Sequence, residues 1–159
     1  MDKIIKLNKG HTKILSEIDY ESEHQYEKKQ NISKQTMKKG IIKRFQKKQE
    51  IFFGYKINNI LVGYITLKPF FPGHNHCEIY WLAIRKKYQK KGIGKKLVKF
   101  IETYAKKKGF RKVCLYTNKN MKKTRAFYEK IGYKYINEFK GYYGYKNGNT
   151  TSVLYTKKI

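Results

Sequence analysis

The chain is 159 residues long and 40% hydrophobic, with two prolines, two cysteines and a formal net charge of +27. This length fits a single domain, residues 1–159, able to bury about 70% of its unfolded surface without staples, and the composition fits a globular protein, not a disordered one. No run reaches the ~18 apolar residues of a membrane span, no apolar leader follows Met1-Asp2-Lys3, and Cys77 and Cys114 are isolated, so a cytoplasmic, reducing setting is expected.

Nearly all the positive charge is lysine; the arginines are Arg44, Arg85, Arg111 and Arg125. The lysines are spread through every segment, and arginine is the better side chain for bidentate phosphate contacts. The charge therefore reads as composition more than as a nucleic-acid face, although it draws any anionic small molecule toward the protein.

In chain order, Lys3 to Leu7 reads as a short strand, and Thr12 as the N-cap of a helix with Ile14, Leu15 and Ile18 on one side. Glu17, Asp19, Glu21, Glu23 and Glu27 then reverse the charge locally. They form either a solvated helix face or a patch that recruits a cationic substrate. Ser33 to Gln49 is a basic helical stretch that Gly40 is expected to break in two. Glu50 to Ile57 and Ile60 to Lys68 read as a hairpin around Asn58-Asn59, with Gly63 marking a bulge or a close backbone approach. A loop from Pro69 to Gly73 follows. His74, His76 and Cys77 lack the spacing of a zinc site, and no metal is expected.

Cys77 to Ile84 is a largely apolar strand with Glu78 near its start. A buried unpaired carboxylate is costly, so Glu78 has an edge position, a partner lysine, or a role as a base with raised proton affinity. Gly92 to Lys108 is an amphipathic helix carrying Leu97, Phe100, Ile101, Tyr104 and Ala105, stopped by Gly109. Val113 to Thr117 is the next strand, making a βαβ unit. Asn120 is a candidate N-cap for a helix from Lys122 to Ile131. Tyr133 to Phe139 and Ser152 to Thr156 are the last strands, joined by a tyrosine-rich loop with Tyr142, Tyr143, Tyr145, Gly141, Gly144 and Gly148.

Gln89-Lys90-Lys91-Gly92-Ile93-Gly94 sits at the strand-to-helix turn. The first amides of a helix lack internal partners, the helix dipole adds about half a positive charge there, and glycine lets a ligand approach the backbone. This is an anion site suited to a phosphate or pyrophosphate. The dinucleotide fingerprint fails at Leu97, where a small residue is needed, and the P-loop fails because Gly94-Lys95-Lys96 lacks the hydroxyl for magnesium.

What remains, Gln-x-x-Gly-x-Gly between strand and helix, resembles the pyrophosphate loop of the GNAT (GCN5-related N-acetyltransferase) family. A second segment, Ala126-Phe127-Tyr128-Glu129-Lys130-Ile131-Gly132-Tyr133, is similar to the aromatic segment after the family's fifth strand. The resemblance covers residues 78–133 and weakens before Glu50. It implies an α+β fold: a mixed, mostly antiparallel sheet of about six or seven strands flanked by helices, its central parallel pair splayed at the acetyl-CoA site. It implies acetyl-coenzyme A as co-substrate, with the backbone of Leu82, Ala83 and Ile84 along the pantetheine arm. Gln89, Lys90, Lys91, Gly92, Ile93, Gly94 and Lys95 would lie at the pyrophosphate, Asn120 or Asn118 on the cofactor, and Phe127 and Tyr128 beside the sulfur. Met121 falls where the family's asparagine is most often found, and Thr124 where alanine is common.

Acetylating an amine requires removing a proton from an ammonium of pKa ~10. Glu78 is the candidate base and Tyr128 the candidate acid for the leaving thiolate, with Tyr80 or Tyr143 able to replace Glu78 through a water. The core positions of the same residues would explain them without chemistry. The expected activity is N-acetyl transfer to a primary amine by direct attack in a ternary complex. The alternatives are an RNA-linked amine, as on an aminoacyl-tRNA, and a non-catalytic coenzyme A-binding module. The acceptor is not written in any motif, and a homodimer is compatible with the sequence.

Overall fold

The computed structural model describes residues 1–22, 32–144 and 150–159. Seven strands form one sheet in the order β1-β2-β3-β4-β5-β7-β6. They are β1 (Lys3–Lys6), β2 (Ile51–Ile57), β3 (Ile60–Pro69), β4 (His76–Ile84), β5 (Lys112–Asn118), β6 (Lys134–Phe139) and β7 (Ser152–Lys158). All neighbours are antiparallel except β4 and β5. The helices are α1 (Thr12–Glu21), α2 (Lys34–Lys47), α3 (Ile93–Lys107) and α4 (Lys122–Lys130). This is the mixed, mostly antiparallel α+β architecture expected from the sequence.

The sheet is covered on both faces because its central strands alternate between two apolar clusters. On one face Ile65, Leu67, Cys77 and Ile79 meet Leu97, Val98 and Ile101 of α3. On the other, Phe52, Leu61, Tyr64 and Ala83 meet Leu15 and Ile18 of α1 and Ile41 of α2. The periodicity that made α3 legible is thus a buried stripe, with lysines left outside.

Three local expectations are corrected. Thr12 is not the cap of α1. Asn8 caps a preceding 3-10 turn, Lys9–His11, so the chain is already turning at Thr12, whose hydroxyl donates to the Lys9 carbonyl at 2.6 Å. Gly40 does not break α2, which runs unbroken from a Ser33 cap. A mid-helix glycine costs only about 1 kcal/mol, and neighbouring Ile41 is buried against the sheet. The cap of α4 is Met121 and not Asn120: the Asn118 side chain accepts from the Asn120 amide at 2.9 Å, and the Asn120 carbonyl accepts from the Lys122 amide at 2.9 Å. Glu23 and Glu27 of the acidic stretch, and Tyr145 and Gly148 of the late loop, lie outside the described residues.

Gly63 has both predicted features. The β2–β3 register shifts beside it, and a Cβ there would stand 2.9 Å from the Ala83 carbonyl oxygen. Only glycine lets β3 and β4 close up at this point.

Candidate active site

β4 and β5 are paired only at His76↔Lys112, Cys77↔Val113 and Glu78↔Cys114. Beyond Glu78 the two strands part, while β4 stays on β3 and β5 on β7. The cause is on β3: Thr66 pairs with Trp81 and Leu67 with Ile79, so Tyr80 is an extra residue that bends β4. The bend turns one edge of β4 into a free ladder. The Arg85 amide bonds the Val62 carbonyl at 2.8 Å. By alternation Ala83 also faces β3, and the peptide groups of Leu82 and Ile84 face the opening.

The loop at the end of β4 completes the cleft. The amides of Tyr88 and Gln89 close a 3-10 turn on Arg85 and Lys86, and the Lys96 amide begins the ladder of α3 on Gly92 at 3.1 Å. Between them Lys90 and Gly92 take positive φ, 59° and 77°. Among the described residues no group accepts a bond from the amides of Lys90 to Lys95, and α3 has no side-chain cap. An oxyanion of a phosphate fits this cradle, where a Cβ at Gly92 would meet nothing within 4 Å.

Glu78 stands at the fork. Cys77 and Ile79 point into the α3 side, so Glu78 points to the opposite face. It is 3% exposed, and among the described residues nothing hydrogen-bonds or ion-pairs with its carboxylate. Burial raises its pKa to about 7, with Lys68 pulling it down and Glu50 pushing it up.

The Acetyltransferase (GNAT) family model matches residues 13–133. The chain belongs to the GNAT acetyltransferase family. A stretch of 74 residues is 35% identical to the probable N-acetyltransferase 14 of Xenopus tropicalis, covering 46% of this chain and 35% of that protein. The matched stretch is thus about a third of the relative's length. Among solved structures, the ribosomal-protein-S18-alanine N-acetyltransferase of Escherichia coli superposes with a TM-score of 0.81 at 17% identity over 100% of this chain and 94% of that one. The PaiA N-acetyltransferase of Thermoplasma acidophilum, solved in complex with coenzyme A, gives 0.74 at 24% identity over 100% and 99%.

On this GNAT frame the residues expected from sequence divide by position. Lys90, Lys91, Gly92, Ile93, Gly94 and Lys95 line the cradle, and Leu82 and the amide of Ile84 line the open edge of β4, where the Ile84 carbonyl is already bonded. The Gln89 carboxamide donates to the Ile84 carbonyl at 3.0 Å and to Ser22 at 3.4 Å, bracing the loop against β4 and α1. Phe127 approaches the same corner: a Cβ on Gly94 would lie 3.4 Å from Ile84 Cδ1 and 3.5 Å from Phe127 Cζ. Tyr128 is buried, edge-on to Phe127 and Tyr133 at 5.0 and 5.4 Å. Burial pushes its hydroxyl above its usual pKa, and it has no hydrogen-bond partner among the described residues. Asn120 is exposed where β5 ends. Among the described residues no group of three or more His, Cys, Asp or Glu side chains is arranged to hold a metal, and no helix is long and apolar enough to cross a membrane.

The sequence did not reveal what holds the bend. Asp19 is buried in α1, where it accepts bonds from the Tyr64 hydroxyl at 2.8 and 2.9 Å and from Trp81 Nε1 at 2.9 Å. Arg44 of α2 forks onto Glu50, donates to Thr66 Oγ1 at 3.1 Å, and covers the rings of Phe52, Tyr80 and Trp81 at 5.0, 5.1 and 5.6 Å. Of the described members of the acidic stretch, Asp19 is internal, and Glu17 and Glu21 pair with Arg85. Asp19→Ala strands the Tyr64 and Trp81 donors and should cost about 2–4 kcal/mol in urea unfolding, whereas Asp19→Asn, which keeps an acceptor, should cost less than half as much.

Proposed function

We propose that this chain is an acetyl-coenzyme A-dependent N-acetyltransferase that passes an acetyl group directly to a primary amine bound at the same time. One observation carries the reading: unpartnered amides from Lys90 to Lys95 lie at the end of a strand whose free edge begins at a buried, unpaired carboxylate. A pyrophosphate held on those amides sets an extended arm along Leu82 and Ile84 and directs its far end toward Glu78. Lys95 adds charge at the cradle, whereas the Lys96 ammonium is held by the Tyr55 hydroxyl at 3.0 Å and by Asp2 at 3.5 Å; Phe127 and Asn120 flank the arm from the β5 side.

The bound thioester supplies an activated acetyl group. Glu78 takes the proton that an aliphatic ammonium must lose before its nitrogen attacks. The new N–C bond forms as the C–S bond breaks, and Tyr128 donates its proton to the departing sulfur. An amide on the open edge of β4 faces the charge that builds on the acyl oxygen. Direct transfer is favoured over an acyl-enzyme because both cysteines are fully buried and burial pushes each thiol up to about 12, leaving no thiolate to serve as nucleophile.

The test is coenzyme A release from acetyl-coenzyme A over a panel of amines and peptides. Tyr128→Phe should lower kcat about ten- to a hundredfold, with KM for the amine near the parent value. Tight coenzyme A binding with no release on any amine would instead favour a non-catalytic module.

A further inference from the structure

The acyl-transfer groups leave one feature of the Glu78 face unexplained, a gathering of aromatic rings. Tyr116 of β5 stacks on Tyr142 at 5.2 Å with planes 12° apart. Phe71 meets Tyr116 at 6.4 Å edge-on, and Phe139 of β6 tilts against Tyr116 and Tyr142 at 6.1 and 6.5 Å. Tyr80, Phe139 and Tyr142 keep 44%, 40% and 47% of their surface in solvent. Rings this large normally surrender such surface to a core or a ligand. The wall also stands beside the base, because the Phe71 carbonyl accepts from Sγ of Cys114, the residue paired with Glu78 on β5, at 3.5 Å.

This wall already holds a cation. Lys68, paired with Glu78 across β3, places Nζ 4.3 Å from the centre of the Phe71 ring and 5.5 Å from that of Tyr80. A primary ammonium on a four-carbon stem is therefore seated on π faces next to the carboxylate.

We propose that these rings form the acceptor subsite, and that its ligand is a primary alkylammonium on a flexible methylene stem, as at the end of a lysine side chain or a diamine. The proposal rests on the acetyltransferase reading and narrows its substrate. The incoming ammonium takes the place of Lys68, which is only half-buried and whose flexible stem can carry its charge out to water. It is then held between ring faces and Glu78, which accepts its proton. Ring faces attract cations and repel anions, so an amine carrying a carboxylate beside it is a poor ligand.

The test joins turnover to binding. KM is measured for 1,5-diaminopentane and for Nα-acetyl-lysine amide. The Kd of pentyltrimethylammonium, which cannot be acetylated, is measured by calorimetry, with coenzyme A binding as a check of fold. Tyr142→Leu and Phe71→Leu should each raise both KM values and the Kd about tenfold. Tyr142→Phe should restore the parent values, and Lys68→Met, which removes the internal competitor, should lower them several-fold. Whichever amine has the lower KM identifies the source of the ammonium. Unchanged constants in the leucine variants, with both amines still acetylated, would overturn the subsite and leave acyl transfer standing. Probe binding that follows the rings while neither amine reacts would uphold the subsite and remove the acyl-transfer reading. A parent protein that binds coenzyme A but not the probe would overturn the proposal.

Discussion

Glu78→Gln should lower kcat about a thousandfold and, in the same protein, raise the melting temperature above pH 7. The two effects have one origin. The carboxylate is buried at the fork with no hydrogen-bond donor, so its pKa rises from an ordinary 4.5 to about 7. The titratable groups around it are Lys68 on β3, Glu50 just before β2, and the neutral Tyr80, Cys114, Tyr116 and Tyr142 facing it from β4, β5 and the late loop. Only Lys68 favours its charged form. Between pH 4.5 and 7 the folded state therefore binds more protons than the unfolded one. The stability present below pH 4.5 is lost as the pH rises through that window, by up to about 3 kcal/mol. Glutamine carries no titrating proton, so that loss disappears from the melting temperature measured against pH.

Activity moves the other way. Parent kcat/KM should climb with an inflection near pH 7 as Glu78 ionises, and in the glutamine variant that limb should vanish. Asp19 produces a loss of the same sign but in a lower window, because burial lifts it from 3.8 to about 6. A slope that survives Glu78→Gln below pH 6 belongs to Asp19. Full activity in the variant would assign the base to Tyr80 or Tyr143 acting through water.

The parts of this site that could be read from the sequence are those fixed by local chemistry. A phosphate cradle needs glycine, a helix start and a preceding strand within a few residues, and Gln89 to Gly94 shows all of them in a row. Glu78 was legible because a lone carboxylate in an apolar strand demands a reason. The bend at Tyr80 was not legible, since a bulge depends on how β3 pairs and leaves the alternation of β4 looking ordinary over so short a run. Nor was the Asp19–Tyr64–Trp81 network, whose members are 45 and 62 residues apart in the chain. Asp19 looked like one more charge in an acidic helix because its burial comes from strands far downstream. The aromatic wall was half visible. Tyr142 and Tyr143 advertised a tyrosine-rich loop, but Tyr116 is one aromatic in an alternating strand, and its stacking partner lies 26 positions on. The continuous α2 shows the converse limit: a glycine signal read locally at Gly40 yields to the burial of Ile41 beside it.

Gly92→Asp should weaken coenzyme A binding about a hundredfold, and Gly92→Asn only severalfold. Both side chains must adopt φ +77°, a region that Asp and Asn tolerate better than other residues, so both carry a similar backbone cost of about 1 kcal/mol. Both find open space, because nothing lies within 4 Å of a Cβ at this position. What differs is charge. Aspartate places a carboxylate at the mouth of the Lys90–Lys95 amides, where it competes for those donors and repels a pyrophosphate; like charges brought together this way cost several kcal/mol. Raising the salt concentration should recover part of the loss for aspartate and none for asparagine, since only the former is electrostatic. Calorimetry with coenzyme A and with dephospho-coenzyme A separates the contributions further: the ratio of Asp to Asn affinities should be the same for both ligands, because both carry the diphosphate proposed to sit on these amides. Equal losses for Asp and Asn would mean that the loop is sensitive to bulk alone, and the diphosphate would then have to bind elsewhere than on these amides.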